Sequence, residues 1–255
     1  MTTTIGTMRS APSASSDGKF FFVMALICAG VAFIGFVPTY WVPLVAGSLH
    51  PHPVIHVHAL VFFSWVLFLV AQTWLASTRR IAWHRAMGMF GISIATAMTI
   101  LGILTAIDRM QAATAIGQKA AGLAFAIVPI GAIAFFAIAF AAAIANVRRP
   151  DWHKRLMLVA SVSILDAPIA RWFMLALAPP GAAGPPPVSV DLGPSLVASV
   201  LLVVAMAVDW LRRKQVHPAY LIGACTYIGW KLAQEALSTT SQWQVVAEWI
   251  MRLGG

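Results

Sequence analysis

Seven long apolar runs constrain this chain more than any other feature. They fall at about 20–44, 54–77, 86–107, 119–146, 155–178, 194–211 and 217–237. At 1.5 Å rise per residue, a helix of such length crosses the ~30 Å hydrocarbon core of a bilayer. The chain is 60% hydrophobic and 10% charged, with a mean hydropathy of +0.84. A soluble domain carries about 25% charged residues, so most of this surface must face something apolar. The expected fold is all-α: a polytopic bundle of about seven transmembrane helices.

Residues 1–18 are rich in Thr, Ser, Ala and Pro and read as a disordered tail. The first run exceeds the roughly 7–15 apolar residues of a cleaved signal peptide, so it reads as a retained helix. Residues 19–239 form the transmembrane domain. Residues 240–255 form a short amphipathic segment with Trp243 and Trp249 as interface anchors. Cys28 and Cys225 lie inside apolar runs and read as small buried residues, not as a disulfide.

The net charge of +9 is not spread over a solvated face. Arg79, Arg80 and Arg85 lie between the second and third runs. Arg148, Arg149, Lys154 and Arg155 lie between the fourth and fifth, and Arg212, Arg213 and Lys214 between the sixth and seventh. The loops on the other side carry only Arg109 and Lys119. By the positive-inside rule the N-terminus is cytoplasmic, in a bacterial inner membrane. The pattern favours the bilayer and its anionic lipids as partners and disfavours nucleic acid. It leaves a homo-oligomer or a larger membrane complex open.

The three basic loops resemble one another. Each reads Arg-Arg, two residues, an apolar residue, then a histidine: His84, His153 or His217. Each histidine opens the next helix. The chain therefore looks like one leading helix followed by three similar hairpins, a same-orientation repeat of the kind found in transporter folds. These histidines either converge on one inner-leaflet site for haem iron or a transition metal, or act as interface residues.

On the other side the chain reads His50-Pro51-His52-Pro53-Val54-Ile55-His56-Val57-His58. Pro53 suits a first helical turn, with His52 just before it. His52 and His56 share a helix face, whereas His56 and His58 diverge by roughly 200°. His58, Trp65 and Gln72 are spaced seven apart and line one stripe, expected to face the bundle interior. The candidate metal ligands are His52, His56, His58, His84, His153 and His217, for haem b or a transition metal.

Charged residues inside apolar runs are costly and mark functional sites. The fifth run carries Asp166 and Arg171, with Pro168 between them. The seventh carries Lys231, Gln234 and Glu235. Counting helical rise puts Asp166 roughly 18 Å above the inner end, with Arg171, Lys231 and Glu235 in the outer layer. Pro168 is expected to kink the helix and free the Ile164 carbonyl. The expected pairs are Asp166–Arg171, Arg171–Glu235 or Lys231–Glu235. The candidate ligand-binding set is His58, Gln72, Asp166, Arg171, Lys231 and Glu235.

Several segments together resemble a widespread family of bacterial multi-pass inner-membrane proteins. They are Gly35-Phe36-Val37-Pro38-Thr39-Tyr40, His56 through Gln72, Trp83-His84-Arg85 with Gly88, His153-Lys154-Arg155-Leu156-Met157 with Asp166 and Arg171-Trp172, and Val216-His217-Pro218. The resemblance spans nearly the whole chain and implies architecture without an activity. A looser likeness is to b-type cytochromes of the cytochrome b561 kind, which hold haems between helix-borne histidines. Those place ligand pairs well inside facing helices, whereas His84 and His153 sit at helix ends. Three readings follow. The first is a haem- or metal-binding redox protein. The second is a transporter or membrane sensor with an outward-facing polar site. The third is a structural or assembly subunit. No motif is specific enough to name a catalysed reaction.

Overall fold

The computed structural model describes residues 14–179 and 181–254. The regular elements among them are all helices. Helix α1 is Ala14–Gly35, so it reaches back into the stretch read as tail; the rest of that tail lies outside the described residues. A π-helical turn, Val37–Trp41, leads into α2, Val42–Val45. Helix α3 is Pro53–Ser77 and α4 is Ile81–Ala115. Helices α5, Lys119–Phe125, and α6, Ile127–Ala145, form one rod interrupted at Ala126. Helices α7, Pro150–Val162, and α8, Asp166–Leu177, form another, broken at residues 163–165. A 3-10 turn, Val188–Asp191, opens α9, Leu192–Arg213. Helix α10 is Pro218–Ser238 and α11 is Ser241–Arg252.

Six of these rods are long and apolar enough to cross a membrane: α1, α3, α4, α5–α6, α7–α8 and the turn with α9. Helix α10 is the seventh rod. At 21 residues it has the length of a span, and it packs on α6, α7 and α9, but it carries Lys231 and Glu235.

The sequence sets the helix ends. His52 is the N-cap of α3 as expected, its Nδ1 accepting from Val54 N, with Pro53 in the first turn. Lys214 closes α9 in the left-handed conformation, φ 57°. The helix ends also fix antiparallel order. Asp17, near the start of α1, pairs with Lys154 of α7 and with Arg212 and Arg213 at the end of α9. Gly18 lies against Ser77 at the end of α3. The loops rich in basic residues therefore gather at one end of the bundle, called the basic end below.

The core runs up the middle. Trp65 is fully enclosed and meets Phe136 edge-on at 5.1 Å between ring centroids, with Met24, Met98, Val159, Leu165, Leu202 and Tyr220 in the same cluster. Large apolar side chains also cover the outside, among them Phe90 on α4, Val203 on α9 and Leu232 on α10. A surface of this kind is stable against lipid tails and not against water.

Pro168 does not kink a continuous helix. The helix ends at Val162, tightens through a Leu165 N to Val162 O bond of 3.0 Å, and restarts at Asp166. Pro168 then falls in the first turn of α8, where a backbone N–H would lack an intrahelical partner anyway. The break brings the Pro168 backbone hard against α1: a Cβ built on Gly35 would overlap the Pro168 Cβ and carbonyl. Trp172 Nε1 reinforces that contact by donating to Ile34 O at 3.0 Å.

Candidate functional site

Two helix starts and one lysine build a buried polar site inside the bundle. Asp166 is the first residue of α8, and Asp191 is the N-cap of α9. Both carboxylates sit at the positive end of a helix dipole, which favours their charged form. Lys231 comes from the middle of α10, roughly 20 Å along the helix from Pro218. Its Nζ donates to Asp166 Oδ2 at 2.5 Å and to Asp191 Oδ2 at 2.7 Å. Gln234 Nε2 also donates to Asp191 Oδ2, at 2.7 Å. Ser195 Oγ donates to Asp191 O at 2.8 Å, while Asp166 Oδ1 accepts from Ala167 N at 2.7 Å. All of these side chains are buried; the Lys231 side chain has no exposed surface.

The charge of this centre does not balance. Two carboxylates face one ammonium, and among the described residues no other cation pairs with either. Two further polar atoms beside it, Gln234 Oε1 and the Tyr227 hydroxyl, are buried without a hydrogen-bond partner. Buried polar atoms left unpaired cost about 1–3 kcal/mol each.

This geometry corrects the expected pairings. Asp166 does not pair with Arg171, nor Arg171 or Lys231 with Glu235. Glu235 is exposed and forms no ion pair among the described residues, while Lys231 turns inward to the two aspartates. Asp166 and Arg171 are five residues apart, about 140° around a helix, so they point to different neighbours. Asp191, the decisive partner, escaped sequence reading. It is a lone acid at the end of a Pro/Gly-rich loop, and its one visible signal is its place just before a helix.

At the basic end a second network closes the bundle. Arg155, 1% exposed, grips Asp209 with two bonds, Nε to Oδ2 at 2.8 Å and Nη2 to Oδ1 at 2.6 Å. Its Nη1 donates to Asp151 O at 2.9 Å, and Asp151 also meets Lys154 and Arg213. With Asp17 the network joins α1, α7 and α9. The sequence had shown the basic residues of these loops without their acidic partners.

The predicted metal ligands do not form one site. His52 lies 3.7 Å from Asp108, His56 Nδ1 is 3.1 Å from the Tyr40 hydroxyl, and His58 Nδ1 is 3.2 Å from Thr105 Oγ1. His58 also stacks on Phe62. His84 and His153 do come together, with ring centroids 6.4 Å apart. Each sets its Nδ1 against a carbonyl near the end of the preceding helix: Gln72 O at 3.3 Å and Ala143 O at 2.9 Å. In both hairpins the histidine is thus a clasp between consecutive helices. His217 departs from the pattern; its Nδ1 accepts from Ala219 N at 3.2 Å, and its ring meets Trp152. Among the described residues no three His, Cys, Asp or Glu side chains gather as a metal-holding group.

The stripe on α3 does face inward. Trp65 and Gln72 are buried, and both polar atoms of the Gln72 amide lack partners. Arg171 sits elsewhere, over the Phe36 ring at 5.6 Å, in electrostatic range of His58 and Arg109. No protein-family model, curated protein or solved structure matches this chain.

Proposed function

We propose that the protein is an inner-membrane transporter whose cycle is driven by reversible uptake of one proton or monovalent cation at the Asp166–Lys231–Asp191 centre. The observation that carries this reading is the charge imbalance of the centre, two carboxylates to one ammonium, fully buried within an apolar bundle. A net negative charge in a low-dielectric interior is expensive, and one further positive charge removes it. The interrupted rod supports the same reading. Transporters place cation sites where membrane helices break, because the unwound carbonyls and the C-terminal end of the first half-helix can coordinate a cation there. Here the break falls at Asp166, and the second carboxylate opens another helix.

The bias of basic residues supports a cytoplasmic N-terminus, with this centre in the outer half of the membrane. Anionic lipids are the natural partners of Arg79, Arg80, Arg148 and Arg149 at the basic end. The test is flux in liposomes carrying the purified protein, with a trapped pH-sensitive or sodium-sensitive dye and an imposed membrane potential. Proton or sodium entry above that of empty liposomes is expected, and Asp166→Asn should abolish it. Equal entry in wild type, variant and empty liposomes rules the reading out.

One observation keeps the haem or transition-metal reading alive. A carbonyl can only accept, so Nδ1 of His84 and of His153 carries a proton, and in the neutral ring Nε2 is the nitrogen with the lone pair. Metal-binding histidines are commonly oriented in this way. A reduced-minus-oxidised absorbance spectrum and elemental analysis of the purified protein separate the two readings.

A further inference from the structure

We propose that Arg171 anchors a binding site for an oxyanion, a carboxylate or a phosphate group, at the end of the bundle opposite the basic loops. A guanidinium stays charged at any physiological pH, so a partly enclosed arginine must find its counter-charge somewhere. Among the described residues no carboxylate supplies it. Asp17, Asp151 and Asp209 are committed at the basic end, and Asp166 and Asp191 to Lys231. Asp108 is paired with Arg109, and Glu248 with Lys119 and Arg252. Glu235 forms no pair with Arg171 either. What Arg171 does have is poor: Nη1 lies 3.8 Å from Met174 Sδ, the guanidinium lies over the Phe36 ring, and Nε is enclosed with no partner.

The surroundings make the shortage worse. Arg109 is close enough to repel Arg171. The site is therefore a positive patch edged by an aromatic ring, with unused donors in the planar fork that matches carboxylate and phosphate oxygens. The same chemistry is offered by the headgroup phosphate of an anionic lipid and by a soluble carboxylate or phosphate. The site uses none of the residues of the Asp166–Lys231–Asp191 centre, so either proposal can fail without the other.

The test is thermal unfolding of the purified full chain in a non-ionic detergent, followed by tryptophan fluorescence. One arm adds sodium phosphate or sodium acetate, with sodium chloride at matched ionic strength as reference. The other adds phosphatidylglycerol, with phosphatidylcholine as reference. A saturable rise in Tm with phosphate or acetate identifies a soluble ligand, and a rise with phosphatidylglycerol alone identifies a lipid. In either case the rise should vanish in Arg171→Met. In Arg171→Lys, which keeps the charge and loses the fork, the apparent Kd should weaken about tenfold. Arg79→Gln with Arg80→Gln should keep the rise, separating this site from the basic loops. An undiminished rise in Arg171→Met overturns the proposal, and so does the absence of a saturable rise with every probe in the wild type. If Arg171→Met does not fold, unchanged affinity in Arg171→Lys overturns it.

Discussion

Lys231 Nζ lies 2.7 Å from Asp191 Oδ2, across 40 residues of sequence, and shares its charge with Asp166 on a third helix. This one ammonium ties α8, α9 and α10 together. The arrangement makes the three charged residues unequal. Removing the lysine leaves two buried carboxylates facing each other. Removing one carboxylate leaves a neutral pair.

Lys231→Met should therefore cost about 3–5 kcal/mol of stability, the range seen when a buried ion pair loses one partner. Asp166→Asn should cost less, about 1–3 kcal/mol, since its amide oxygen still accepts from Lys231 and the net charge falls to zero, while its NH2 replaces the oxygen that accepts from Ala167 N. Thermal or denaturant unfolding in detergent measures both. Similar losses for the two variants would mean that the centre is a balanced structural staple.

Two glycines of α1 should respond with opposite signs. Gly30 has open space around a would-be Cβ, so Gly30→Ala should be neutral or stabilise by up to about 1 kcal/mol. At Gly35 the added methyl meets the Pro168 backbone, which cannot swing aside. Gly35→Ala should cost about 1–3 kcal/mol. The pair of melting curves tests whether the broken rod really leans on α1.

The His217 cap gives a pH dependence. Its Nδ1 must be unprotonated to accept from Ala219 N. Burial holds its pKa below the ordinary value of 6.5, with Arg155 and Arg213 adding to the effect and Asp209 and Asp151 opposing it. The folded chain thus takes up this proton later than the unfolded chain as the pH falls. Stability is level above about 6.5 and declines as the pH drops from there through the folded value. His217→Asn keeps a capping acceptor that does not titrate, so its curve should lack this decline. Parallel curves for wild type and variant would remove His217 from the account.

Much of the fold was legible because the bilayer makes hydropathy decisive. The runs, their order and the basic end all follow from where apolar residues stop and arginines start. The stripe of Trp65 and Gln72 followed from helical spacing alone. What could not be read was pairing between distant segments. Lys231 has Glu235 four residues away, a local partner in the weaker Lys-before-Glu order. Yet Glu235 is exposed, while the break at residues 163–165 swings Asp166 toward α10 and the 3-10 turn delivers Asp191. No local pattern announces either event; both depend on how three rods pack. The acids of the basic end were hidden in the same way. Asp17, Asp151 and Asp209 are scattered in sequence and meet only when α1, α7 and α9 close.

Infrared difference spectroscopy of the purified protein across a pH titration addresses the central claim most directly, because it sees carboxyl protonation itself. If the Asp166–Lys231–Asp191 centre takes up one proton, lowering the pH should produce a carboxylic acid C=O band from a buried group, absent from Asp166→Asn and shifted in Asp191→Asn. If sodium serves instead, adding it at fixed pH should perturb the carboxylate bands of the same two residues. A centre whose bands stay unchanged through both titrations, with wild type and Asp166→Asn giving the same difference spectrum, would contradict the account.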